Sequence, residues 1–174
     1  MRFPEAAKLL AEWDRRGQCV FLKRDLAKVF DEGGKTLDQT LRRLVTAGLL
    51  ERVAHGVYLY ALSAHLGVSA LEEVALALRR GQYVFESYES ALSQWGRISQ
   101  VPVDRMTLAT TGRKGVFRTR FGVIEFTHTA ADAAEIAANT VDRPGRVIPI
   151  ATEAYALSGL RRAGRNLDLI DQGV

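Results

Sequence analysis

Cysteine is almost absent from this sequence of 174 residues. The only one is Cys19, in the apolar run QCVFL. A single thiol excludes an intramolecular disulfide framework, so a reducing, cytoplasmic compartment is the simplest expectation. The apolar run around Cys19 predicts that it is a buried structural residue rather than a reactive one.

Long apolar runs are absent too, since no stretch approaches the roughly 20 residues of a membrane span. The first residues, MRFPEAAKLLAEWDRR, lack the pattern of a signal peptide, with Glu5 and Glu12 early in the run. These absences disfavour a membrane or secreted protein.

Histidine is scarce, and the three present, His55, His65 and His128, have no partner at metal-ligand spacing. The run TTGRKG has neither the length nor the order of a P-loop. We therefore expect no enzyme activity, no metal and no cofactor. A less favoured alternative is a nuclease-like metal site formed by His128, Asp132 and Glu135.

What the chain does have is hydrophobic content of 47% and a formal charge of +4. The apolar content suffices for one core or two small ones. The basic charge is grouped in two places: the first sixty-two residues, and residues 97–120, where only Asp104 opposes it. Grouped basic charge favours a polyanionic partner, with nucleic acid preferred over membrane.

The N-terminal pattern predicts a winged helix-turn-helix domain over residues 1–64. Thr36 and Gln39 match a T-x-x-Q capping box, and Gly48 suits a C-cap. The tight turn Ala54-His55-Gly56 predicts a hairpin, which would be the wing. Helices are predicted over 4–16, 23–30 and from Thr36 to Gly48, and strands over 18–22, 49–53 and 57–61.

The third helix has two faces. Leu37, Leu41, Leu44 and Val45 fall at i, i+4, i+7 and i+8, which predicts one buried stripe. The opposite face is polar. In the major groove of DNA, an arginine side chain can pair with guanine and a glutamine side chain with adenine. We therefore expect a DNA-binding surface formed by Lys23, Arg24, Lys35, Thr36, Gln39, Arg42, Arg43 and His55. The same pattern also fits an ordinary surface helix or a protein-interaction module.

Residues 65–174 are predicted to form a small α+β domain with an antiparallel sheet of about three strands. Helical spacing covers 69–81 and 87–95, and alternation marks strands at 106–108, 116–121 and 123–128. Alternation also predicts that Arg118 and Arg120 share one strand face. With the preceding turn they define a second basic patch, either a further nucleic-acid surface or a solvated hairpin. Its residues are Arg113, Lys114, Arg118 and Arg120.

Short motifs in both halves of the chain match the pattern of a known family. The segment YESALSQWG matches a Y-x-S-A-L-x-x-x-G pattern in the second half. In the first half the matching pieces are V-F-x-x-x-D-L from Val20, L-x-R-L-x-x-x-G-L-L from Leu41 and G-V-Y from Gly56. With these motifs, both halves of the chain resemble AbiEi-type antitoxins.

The resemblance implies a cytoplasmic DNA-binding repressor and antitoxin of a type IV toxin–antitoxin system for phage defence. It implies that the winged helix binds inverted repeats in its own promoter. It also implies a nucleotidyltransferase-like toxin as functional partner, without a stable complex. The C-terminal half is short for this family, so a stand-alone regulator is an alternative.

Overall fold

The structure, a computed structural model, describes residues 1–98, 104–166 and 168. The predicted C-terminal domain, 65–174, thus extends partly outside the described residues. The chain is α+β and divides into two compact units, Met1–Leu78 and Arg79–Val174.

Unit 1 contains four helices and a three-stranded antiparallel sheet. Its helices are α1 (Phe3–Asp14), α2 (Lys23–Val29), α3 (Gly34–Thr46) and α4 (Val68–Leu78), and its strands are β1 (Val20–Leu22), β2 (Leu50–Ala54) and β3 (Val57–Tyr60). β3 lies in the centre, with Val20 opposite Leu59 on one side and Leu50 opposite Tyr60 on the other. Gly56 makes the turn between β2 and β3 with φ +71°, a left-handed conformation that favours glycine.

Helix α3 buries the predicted leucine stripe. Leu37, Leu41 and Leu44 are buried, whereas Val45 is half-buried. The predicted capping box is wrong, because the helix begins two residues earlier with Gly33 as N-cap and has no side-chain cap. Thr36 therefore lies inside the first turn.

The predicted boundary at residue 64 differs from the division after Leu78 because α4 packs on β1 and β3 of unit 1. The buried Cys19 Sγ donates a hydrogen bond to Glu73 Oε2 of α4 over 3.4 Å. Burial, with the charge of Glu73 as a smaller cause, raises the pKa of Cys19 to about 12. The thiol is thus held in its protonated, unreactive form.

Unit 2 is built on a six-stranded mixed sheet in the order β6-β7-β5-β4-β9-β8. Its strands are β4 (Val84–Glu86), β5 (Arg105–Thr110), β6 (Gly115–Thr119), β7 (Gly122–His128), β8 (Thr140–Val141) and β9 (Ile150–Ala151), and its helices are α5 (Tyr88–Gln94), α6 (Ala133–Asn139) and α7 (Glu153–Ala163). A core including Phe85, Tyr88, Leu92, Ile150 and Leu160 joins α5 and α7 to the sheet.

The prediction of about three antiparallel strands in the second half is correct for β6 and β7, which pair antiparallel, and wrong for the rest of the sheet. β5 and β7 pair in parallel, from Arg105 opposite Val123 to Thr110 opposite His128, and β4 and β9 are also parallel. β5 and β7 are largely buried, and each lies between two neighbouring strands. β6 alternates between exposed and half-buried residues and lies at the edge of the sheet.

Candidate functional site

A depression of about 400 Å³ lies on unit 1 where α2, α3 and the β2–β3 hairpin meet. It brings together three residues of the predicted DNA-binding set, one from each element. The lining residues are Lys23, Asp38, Arg42, Arg52, His55, Gly56 and Tyr58.

The backbone explains why α2 begins beside the hairpin tip. Leu22, the last residue of β1, pairs with Val57 of β3. The N–H of Lys23 then donates to the carbonyl of Gly56 over 2.8 Å, and the N–H of Leu22 donates to Asp25 Oδ2 over 2.9 Å. The second contact satisfies a donor at the helix start, so Lys23 is fixed against the turn.

Asp38 joins α2 to α3 in this depression. Its Oδ1 lies 2.5 Å from Lys23 Nζ, and its main-chain carbonyl accepts a hydrogen bond from Arg42 Nε over 3.3 Å. The hydrogen bond and charge of Lys23, with a smaller contribution from Arg42, lower the pKa of the Asp38 carboxyl. The carboxylate is therefore ionised at neutral pH and holds Lys23, whereas the main-chain carbonyl of Asp38 holds Arg42.

The hairpin contributes a second polar pair. Arg52 Nη2 lies 3.1 Å from His55 Nδ1. Because guanidinium nitrogens only donate, His55 Nδ1 is the acceptor in this contact. Sequence reasoning missed Arg52. The signal that could have found it is the hairpin register, which places Arg52 opposite Tyr58 and so on the same sheet face.

Four further predicted residues lie outside the depression. Lys35, Thr36 and Gln39 are exposed on α3, and Arg24 is exposed on α2. They share the solvent side of these helices but do not line the depression.

Arg43 departs most clearly from its expected place. Its guanidinium donates to the main-chain carbonyl of Met1 over 3.0 Å and to Thr40 Oγ1 over 3.2 Å. Arg43 therefore contacts the N-terminal segment, and the structure does not bring it together with Arg42.

In unit 2 the second basic patch surrounds the edge strand. Arg113 and Lys114 are exposed before β6, and Arg118 is exposed on it. The expectation that Arg118 and Arg120 share a strand is wrong, because β6 ends at Thr119. Arg120 lies in the turn that follows, its guanidinium 4.7 Å from the centre of the Phe121 ring.

The residues of the nuclease-like alternative have separate partners. His128 Nδ1 lies 2.9 Å from the carbonyl of Gly112, Asp132 caps α6 through the N–H of Glu135, and Glu135 accepts from Tyr155. Within the described ranges, no three His, Cys, Asp or Glu side chains form a group suited to a metal ion.

Unit 2 also contains a charged cluster that the sequence did not predict. Arg165 pairs with Glu89 over 3.0 Å and with Glu125 over 2.5 Å, and Arg105 pairs with Glu125 over 2.6 Å. Asn166 adds a hydrogen bond to Glu89. These contacts tie the segment after α7 to α5 and to the sheet, so the cluster has a structural explanation.

None of the helices in residues 1–98 and 104–166 combines the length and apolarity of a membrane span.

Comparison with solved structures gives the crystal structure of the RV2827C protein from Mycobacterium tuberculosis, with a TM-score of 0.64 and 18% identity. The match covers 95% of this chain and 64% of that one, and at this identity it shows a shared fold alone. No curated protein matches the chain. A family model described as "Family of unknown function (DUF6088)" matches residues 12–138, and the chain therefore belongs to the DUF6088 family.

Proposed function

We propose that unit 1 is a winged helix-turn-helix that binds double-stranded DNA, with α3 in the major groove and the β2–β3 hairpin as the wing. The order α1-β1-α2-α3-β2-β3 supports this. The observation that carries the proposal is the convergence of Lys23, Arg42, Arg52 and His55 on one surface. Phosphate contacts from basic side chains supply most of the affinity of such domains, and helix side chains supply the sequence preference.

The biological role that fits this surface is transcriptional repression of the protein's own promoter through inverted repeats, as a cytoplasmic antitoxin of a type IV toxin–antitoxin pair in phage defence. The antitoxin part rests on the sequence resemblance. Its functional partner would be a nucleotidyltransferase-like toxin, countered without a stable complex. A nucleotidyltransferase gene beside this one, whose growth inhibition is relieved by co-expression of this chain, would support it, and persistent inhibition would contradict it.

The DNA-binding proposal is tested by a gel-shift titration with the DNA upstream of the gene. Arg42→Ala is expected to weaken binding by about 1–3 kcal/mol if Arg42 pairs with a base. The matched control is Lys8→Ala, which removes an exposed charge from α1. Absence of a wild-type shift, combined with capture of a protein partner, would instead favour an interaction module.

The basic patch of unit 2 is proposed as a second nucleic-acid surface, for duplex backbone or for RNA. Its support is that Arg113, Lys114, Arg118 and Arg120 are all exposed. Removing one basic side chain that binds a phosphate should reduce the slope of log affinity against log salt by about 0.9 on duplex DNA and about 0.7 on a single strand. Unchanged slopes on both nucleic acids after all four are replaced by alanine would refute this surface.

A further inference from the structure

One carboxylate, Asp38, stands among the described residues that line the depression, where Lys23, Arg42 and Arg52 are the cations. A carboxylate on a surface that approaches phosphates repels them and lowers sequence-independent affinity. Its ion pair with Lys23 is exposed, with the two side chains 44% and 45% accessible, and such pairs add little to stability. The contact holds Lys23 in place, but neither phosphate binding nor folding stability favours an acid at this position.

Recognition of a base in the major groove does account for an acid at this position. Asp38 and Arg42 are four residues apart on α3, so they lie on the same helix face, one turn from each other. Aspartate accepts a hydrogen bond from the cytosine amino group in the major groove, and arginine donates to guanine.

The contacts of both residues suit this task. Lys23 holds one carboxylate oxygen, Oδ1, and a carboxylate has about four acceptor positions. Arg42 is held through Nε, which leaves its Nη groups to form the two parallel bonds that guanine accepts. The neighbouring groups thus orient both side chains and leave acceptor positions on the Asp38 carboxylate and the Nη groups of Arg42 for contacts with bases.

We propose that Asp38 is a specificity-determining residue of this DNA surface, selecting a cytosine in the base pair next to, or one beyond, the guanine bound by Arg42. The four residues from Asp38 to Arg42 advance about 6 Å along α3, which corresponds to one or two base-pair steps of about 3.4 Å. This inference rests on the proposed function, because it requires α3 to lie in the major groove.

The test selects preferred sites from a random duplex pool with full-length wild type, Asp38→Asn and the control Asp31→Asn. Asparagine matches aspartate in shape but pairs with adenine. Asp38→Asn is therefore expected to lose the cytosine preference roughly tenfold and to gain adenine at the same position. Asp31 is exposed on the α2–α3 turn at φ +48°, which asparagine tolerates, and Asp31→Asn makes the same charge change without altering base preference.

The possible outcomes separate the two proposals. If wild type selects a motif and Asp38→Asn selects the same motif, Asp38 does not determine specificity, while DNA binding stands. If Asp38→Asn only raises affinity for all duplexes, Asp38 repels phosphate and the base-selective role is refuted. If wild type binds no duplex, the proposed function fails first. A thermal melt of each variant confirms that the chain remains folded.

Discussion

Arg52→Ala offers the sharpest test of the basic depression, because Arg52 was found from the structure rather than from the sequence. The residue is exposed on β2, and its guanidinium contacts the His55 ring at the hairpin tip. In the proposed winged helix, a residue on this hairpin is expected to contact the DNA backbone rather than a base. Its removal should therefore weaken binding to all duplexes about equally.

The magnitude follows from counterion release. Removing one phosphate-binding cation reduces the slope of log affinity against log salt by about 0.9. Between 50 and 200 mM salt, the ratio of wild-type to Arg52→Ala affinity should then fall roughly threefold. Folding stability should change by less than about 0.5 kcal/mol, since an exposed side chain is removed.

Fluorescence anisotropy at several salt concentrations, on the promoter duplex and on an unrelated duplex, measures both quantities. Lys8→Ala is again the charge-matched control, because Lys8 does not line the depression. An unchanged salt slope would refute a phosphate contact, and a weakening restricted to the promoter would show that Arg52 binds a base instead.

Three further predictions concern folding. In chemical denaturation Leu41→Ala, at a core position 1% exposed, should lower the free energy of unfolding by about 2–5 kcal/mol, and a decrease under about 1 kcal/mol would show that the α3 stripe is not core. Two glycine variants should change the free energy of unfolding in opposite directions. Gly122→Ala, at φ +135° and against a main-chain carbonyl, should lower it by about 2 kcal/mol or more. Gly159→Ala, inside α7 with its new methyl 3.4 Å from a ring carbon, should raise it by about 0.5–1 kcal/mol. Burial opposes ionisation of Glu125, but hydrogen bonds from Arg165 and Arg105 outweigh it and lower the pKa of the carboxyl below 4.5. The ionised carboxylate therefore stabilises the fold above pH 4.5, and this contribution is lost as pH falls through the folded-state pKa. Glu125→Gln should flatten the acid side of a plot of Tm against pH, and an equally steep plot would contradict this.

Local patterns predicted unit 1 well. The leucine spacing of α3 fixed its buried face, and the His55-Gly56 turn marked the hairpin. Eight residues were expected on a common surface, and three of them, Lys23, Arg42 and His55, line one depression. These features depend on residues close together in the sequence, which is why periodicity and turn chemistry suffice.

Features that depend on distant residues were not predictable. Arg43 was expected to face DNA alongside Arg42, but its guanidinium contacts the carbonyl of Met1. The boundary after Leu78 depends on α4 packing beside β1, which no linker composition reveals.

The sheet of unit 2 shows the same limit. Alternation located the strands near Met106, Val116 and Val123, but alternation is the same for parallel and antiparallel neighbours. Whether β5 pairs with β7 depends on which strands are buried in the interior of the sheet. Burial of a strand can be known only when the order of all strands in the sheet is known.

The pairing of Glu86 with Ile150 joins β4 to β9, which lies much later in the sequence. During synthesis, this pairing has to wait until the ribosome has released Ile150, whereas the sheet of unit 1 is closed between Val20 and Tyr60. Since N-terminal domains generally fold first and long loops are slow to close, unit 1 is expected to acquire its basic surface while unit 2 is still emerging. A nascent chain would then form the surface proposed to bind DNA before its second half is complete.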